Sequence, residues 1–349
     1  MEKTLLMLIV IAAMPVAGIT AAQAQTPPTG PHLAPPLPGQ PPQDQSLQAQ
    51  PSAGAKRPGS VPPNYRVTPF GYFDPSCVVH LAHGDEMLMN PAQRGIRHAD
   101  GTISPLPVCG HPHYRGDGQK VDADERGVQD PNISHSWIVS ESITSKGQYG
   151  FLSAEWSVPP TPTSDDGQTL FYFPGLEDSN DVVTIIQPVL GWNSDYASAW
   201  GIASWNCCVS GTTYEATPQK VNPGDTILGY MYETCGWGVR SCSSWDIVTW
   251  DLQNNNFSEL ALTSSFGQTF NWAFGGVLEV YNIAQCSDYP NNPNGFTGGT
   301  NDISFNEIGL YNYAGTSITP VWAKTLWATG ATPQCNYNGT EPKQVLLQD

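Results

Sequence analysis

The sequence predicts an all-β sandwich, and three observations carry that expectation. From about Ser136 onward, short β-prone runs recur between turn clusters. Helical periodicity is nearly absent. The 349 residues are rich in Gly (34), Pro (32) and Trp (11) and only 13% are charged, which argues against a coiled coil or helical bundle.

The predicted strands are Gly150 to Val158, Thr169 to Phe173, Val182 to Leu190, Tyr196 to Trp205, Thr226 to Tyr232, Trp245 to Trp250, Glu259 to Leu262, Val277 to Tyr281, Ile303 to Tyr311 and Ser317 to Trp322. Pro159-Pro160, Asn222-Pro223-Gly224-Asp225 and Asn254-Asn255-Asn256 separate them as turns. Several runs are apolar on both faces, as expected of a covered sheet. Residues two apart in a strand share a face, so Val183, Ile185, Gln187 and Val189 line one side of their strand, and Val277, Glu279 and Tyr281 one side of theirs. A carboxylate among apolar neighbours is costly unless it is paired or useful, which makes Glu279 the most informative acid in the chain.

The N-terminal part reads differently. Met1-Glu2-Lys3, an apolar run from Leu5 to about Ile19 and Ala22-Gln23-Ala24 form a secretory signal over residues 1–24, so a secreted or extracytoplasmic protein is expected. The apolar run contains Pro15 and Gly18 and is shorter than the ~20 residues a membrane span needs. Residues 25–64 hold twelve prolines among Gln, Ala, Gly and Ser, a composition for a Pro-rich linker or pro-segment. Residues 65–131 form an N-terminal segment that can serve as a propeptide, largely irregular, and 132–349 form the β-sandwich. Eight cysteines fit an oxidising compartment. The economical pairing joins Cys77 to Cys109, divides Cys207, Cys208, Cys235 and Cys242 into two bridges, and joins Cys286 to Cys335.

With 14 basic against 31 acidic residues the net charge is −17, so neither nucleic acid nor, after signal removal, an anionic membrane is an expected partner. From Trp137 to Asp349 there are 5 basic and 20 acidic residues, which places −15 of the −17 there. All seven histidines lie at or before His135. A Ser-His-Asp or Cys-His site would therefore need an imidazole from the N-terminal part. No Gly-x-Ser-x-Gly elbow, His-Glu-x-x-His, phosphate loop or dinucleotide fingerprint occurs. His80, His83, His111 and His113 in a Pro-rich region are read as solvated, so no metal and no cofactor is expected. Catalysis would rest on carboxylates, amides, hydroxyls or aromatic side chains.

Three blocks carry a resemblance to a known family. Trp137-Ile138-Val139 with Phe151 to Pro160 is similar to its opening strands. Phe173-Pro174-Gly175-Leu176-Glu177 followed by Ile185-Ile186-Gln187 resembles its second block, and Gly276-Val277-Leu278-Glu279 its third. The family is that of the glutamic peptidases of the eqolisin type. The resemblance covers about 190 residues, with order and spacing agreeing better than identity. It implies a concanavalin A-like sandwich and an acid endopeptidase acting on protein or peptide substrates; with the signal segment and the N-terminal pro-segment, a secreted zymogen is expected, and a monomer. Gln187 matches the catalytic Gln, Glu279 the catalytic Glu, and Phe173 and Glu177 the aromatic and acidic positions of the second block. Phe173, Trp200 and Trp205 are expected to line the substrate groove. The sequence departs from the family at two places: Gly276 stands where it has Trp, and Pro188-Val189 follow Gln187 where it has a nearby glycine.

The implied chemistry uses Glu279 first as base toward water and then as acid toward the leaving amine, while the Gln187 amide donates to the oxyanion. Two other readings stay open, a carbohydrate-binding lectin-like module and a catalytically inactive relative.

Overall fold

The computed structural model describes residues 57–90, 93–121, 134–180, 182–209, 211–290, 303–327, 335, 337–339 and 345–348. Residues 1–24, expected to be a signal, and most of 25–64, expected to be a linker or pro-segment, lie outside these residues. The described chain is all-β, with two short 3-10 turns and no α-helix. No described helix is long and apolar enough to cross a membrane.

Two large sheets pack face to face. The nine-stranded sheet runs, in spatial order, Ala323–Leu326, Trp137–Thr144, Trp272–Tyr281, Thr169–Glu177, Ile185–Trp192, Trp200–Val209, Thr212–Ala216 and Val78–Leu81, with Gln219–Val221 also paired to Trp200–Val209. The ten-stranded sheet is centred on Tyr149–Ser157, Thr226–Glu233, Ser244–Asp251 and Asn256–Ser264. Neighbours are antiparallel except at two places where the N-terminal segment joins in. Val78–Leu81 pairs parallel to Thr212–Ala216, and Glu86–Asn90 pairs parallel to Asn256–Ser264. The strands before residue 122 are two to five residues long, with turns and loops between them.

Alternation along the strands sorts side chains into two cores. Ile186, Leu190, Leu278, Val280, Leu170 and Tyr172 fill the space between the sheets. Ile185, Val189, Val277, Phe171 and Phe173 face outward from the nine-stranded sheet, yet they too are buried. Their cover is the N-terminal segment: Val61, Tyr65, Phe70, Tyr72 and Phe73 pack onto them. This explains strands Thr169–Glu177 and Ile185–Trp192, which are buried at every position.

The run Ser317 to Trp322 is not a strand; the strand there begins at Ala323. Pro320 has no N–H to give a ladder, and Ser317 makes only an isolated bridge with Tyr311. Gly276 and Pro188 have packing reasons. A Cβ on Gly276 would lie 2.5 Å from the Phe305 ring and 2.6 Å from Val345, and Pro188 packs into space that a Cβ on Gly229 would occupy. Both are places where the two sheets approach closely, and a tryptophan at 276 has no room. The disulfides are Cys77–Cys109, Cys207–Cys208, Cys235–Cys242 and Cys286–Cys335.

Candidate active site

Glu279 sits in the middle of the nine-stranded sheet, on the face covered by the N-terminal segment. Its cross-strand neighbours are Phe171 and Trp137. Oε2 accepts from the indole N–H of Trp137 at 3.2 Å, and Oε1 accepts from the Tyr281 hydroxyl at 2.5 Å. Ser134 also donates to it. Burial pushes the carboxyl up to about 7, and these three neutral donors hold it back from rising further. The same burial, with Glu279 next to it, raises the Tyr281 hydroxyl, which keeps its proton and remains a donor. Phe173 belongs to this neighbourhood, its ring 5.9 Å from that of Trp137. Tyr72 from the N-terminal segment closes the roof, edge-on to Tyr281 at 5.3 Å with its hydroxyl donating to Asn282 at 2.7 Å.

Gln187 lies on the same face, since Ile185 and Val189 on either side of it pack under the N-terminal segment. It is fully buried, and neither its amide oxygen nor its amide nitrogen has a hydrogen-bond partner. An unpaired buried amide costs about 1–3 kcal/mol. The strand order places Gln187 and Glu279 on the two strands that flank Thr169–Glu177. Glu279 stands opposite Phe171, while the register through Tyr172↔Leu190 and Leu176↔Ile186 sets Gln187 opposite Gly175. Four residues along the strands and two strands across separate their Cα atoms by about 13 Å and 10 Å in the two directions. The two side chains implied as a pair share a face, and neither hydrogen-bonds the other.

The remaining expected residues divide. Trp205 is opposite Gln187 and on the same face. Glu177 ends its strand opposite Trp272, is buried, and has the parity of Phe173. Trp200 faces the other way, into the space between the sheets, 5.4 Å from Trp192 and 6.0 Å from Tyr172. Trp200 and Trp205 are five apart, and an odd spacing puts two residues of one strand on opposite faces.

Sequence reasoning missed Arg66, Glu215 and Asp195. Glu215 is opposite Trp205, so Gln187, Trp205 and Glu215 form a row across three strands. Arg66 reaches down from the N-terminal segment. Its Nη1 and Nη2 donate to the two Glu215 oxygens at 2.6 and 2.8 Å, and Nη2 also donates to Asp195. Burial opposes ionisation of Glu215, but Arg66 and His80 outweigh it and bring the carboxyl down to about 2. Burial and the neighbouring Glu215 push Asp195 the other way, up to about 8. The available signal was the one used for Glu279, a lone acid in a β-prone run, here Tyr214-Glu215-Ala216.

Among the described residues, no group of His, Cys, Asp and Glu is arranged to hold a metal ion.

No family model matches the chain, and no curated protein matches it. Among solved structures, it is similar to Scytalido-glutamic peptidase bound to a peptide-based transition state analogue. That match has 12% identity and a TM-score of 0.43, over 61% of this chain and 97% of that one. A second similar structure is SCP-B, a member of the eqolisin family, in complex with the tripeptide Ala-Ile-His, at 12% identity and a TM-score of 0.41 over the same shares. A toad ovary galectin with thio-digalactose aligns at 10% identity and a TM-score of 0.23, over 41% of this chain and 91% of that one. These likenesses lend no residue of this chain a role.

Proposed function

We propose that this chain is an exported peptide hydrolase kept in a covered form by its own N-terminal segment. Glu279 carries the reading. A carboxyl held in place by donors from Trp137, Tyr281 and Ser134 is suited, once ionised, to take a proton from an attacking water and return it to a leaving amine. The Tyr281 hydroxyl, which keeps its proton and lies against Glu279, is assigned as a donor to the developing oxyanion. Gln187 is assigned a different task from the one the resemblance implies. Its free amide anchors the backbone of an extended peptide, about five residues from the bond being cut at ~3.3 Å per residue. Phe173, Trp205 and Glu177 line the same face. The four disulfides fit the oxidising surroundings that export implies.

With the N-terminal segment in place, Glu279 is protonated in mild acid and cannot act as a base. Uncovering restores water around it and lowers its pKa toward the ordinary carboxylate range, so that base catalysis becomes available in mild acid. Full-length protein, nicked by limited proteolysis ahead of residue 134 and then stripped of its N-terminal part in mild denaturant, is expected to cleave denatured casein at mildly acidic pH. Glu279→Gln should lower kcat by about a thousandfold, within the usual span for a lost acid-base group. Gln187→Ala should act mainly on KM. Cleavage that survives Glu279→Gln would sink the assignment.

The separation of Gln187 from Glu279 favours a second reading, a face that binds peptide and does not cut it. Peptide binding by the uncovered protein with no casein cleavage at any pH would select it.

A further inference from the structure

We propose that Glu215, Asp195 and Trp205 form a guanidinium-binding recess, filled by Arg66 in this form of the chain, that accepts the arginine side chain of a peptide once the N-terminal segment has left. The peptide as visitor rests on the function proposed above; the recess itself does not.

The case starts from the fit of Arg66. A guanidinium presents its N–H groups in a flat fork, and the two Glu215 oxygens accept from both prongs at 2.6 and 2.8 Å. Asp195 accepts a further bond from Nη2. The guanidinium carbon lies 5.4 Å from the centre of the Trp205 ring, in the range of a cation-π contact. His80 completes the surroundings, with Nδ1 3.0 Å from Glu215 and Nε2 3.3 Å from Arg66 Nη1. Both acids are buried, and Ser194 donates to Asp195 at 2.7 Å, which fixes its orientation from the side away from Arg66. An ammonium group would satisfy one oxygen at a time and would not lie flat on the indole.

Position ties the recess to the candidate site. Glu215, Trp205 and Gln187 are neighbours in one row, so the recess begins one strand beyond the unpartnered Gln187 amide. An extended chain crossing Gln187 can place a side chain there. Arg66 itself belongs to a three-residue strand of the segment that covers the face, so it occupies the recess as a detachable part. When the segment leaves, His80 leaves with it, and the two carboxyl groups of Glu215 and Asp195 are left with neither of their basic partners, an arrangement that calls for a replacement cation.

The test uses full-length Arg66→Ala and the probe Nα-acetyl-arginine amide. Millimolar probe should raise the Tm of Arg66→Ala and leave the wild type, whose recess is filled, unchanged. Nα-acetyl-lysine amide should bind at least tenfold more weakly, and Arg66→Ala/Glu215→Gln should lose the response. If Arg66→Ala does not fold unaided, its refolding yield with the arginine probe is the readout, with the double variant as control. A response equal for the lysine probe, unaffected by Glu215→Gln, or absent overturns the recess. Binding by a protein that cleaves no casein supports the recess and removes only the catalytic reading. Casein cleavage with no probe binding overturns the recess alone.

Discussion

At Glu279 a single carboxyl couples chemistry to stability. Its pKa rises from an ordinary 4.5 to about 7 in the folded chain, so the native state holds a proton that the unfolded chain releases between those values. The contribution to stability is therefore fully present below about pH 4.5 and lost as pH rises through 7, for a total of about 3 kcal/mol. Glu233, raised to about 7 by burial, acts in the same direction. We expect urea unfolding midpoints to be higher at pH 5 than at pH 8. Glu279→Gln should flatten part of that difference, and an unchanged pH dependence in the variant would refute the assignment. The alternation of Val277, Glu279 and Tyr281 was legible in the sequence because period two is a local property. The opposite facing of Trp200 and Trp205 was equally legible, since their odd spacing already sets the two on opposite faces. The separation of Gln187 from Glu279 was not legible, because it depends on the register of three strands, one of them nearly a hundred residues distant in the chain.

Among the elements, the covering segment matters most. The predicted strand runs from Gly150 to Tyr311 correspond to observed strands, whose ends differ by a few residues. The segment before residue 122 gave no comparable signal, because its strands are short and their partners lie far along the chain. Arg66 meets Asp195 and Glu215 across 129 and 149 residues, and nothing local in Tyr65-Arg66-Val67 announces them. The ion cluster sets how the segment responds to acid. Glu215 is held down at about 2 from an ordinary 4.5. The stability contributed by this pairing is complete above about pH 4.5 and is lost only as pH falls through 2. Mild acid alone should leave the strand Arg66–Thr68 docked. Hydrogen exchange of its amides, corrected for intrinsic rates, is expected to show the same protection at pH 5 as at pH 7. Loss of protection at pH 5 would show that the pairing is not what holds the segment.

For the molecule as a whole, the connectivity of the disulfides has a consequence for what cutting the chain achieves. Cys77–Cys109 lies wholly within the N-terminal segment, and the other three bridges lie wholly beyond residue 134. No covalent bond other than the main chain joins the two parts. They are nonetheless interleaved, with Val78–Leu81 and Glu86–Asn90 hydrogen-bonded into the two large sheets and a shared aromatic interface between them. A cut between residues 121 and 134 should give two polypeptides that separate on a non-reducing denaturing gel and co-elute under native conditions. Separation under native conditions directly after the cut would contradict the interleaving. The N-terminal part thus has the character of a subunit that happens to be made in tandem with its partner. Supplied as a separate polypeptide, it would be expected to reassociate with the sandwich, so that control of this protein can be exercised in trans as well as by cleavage.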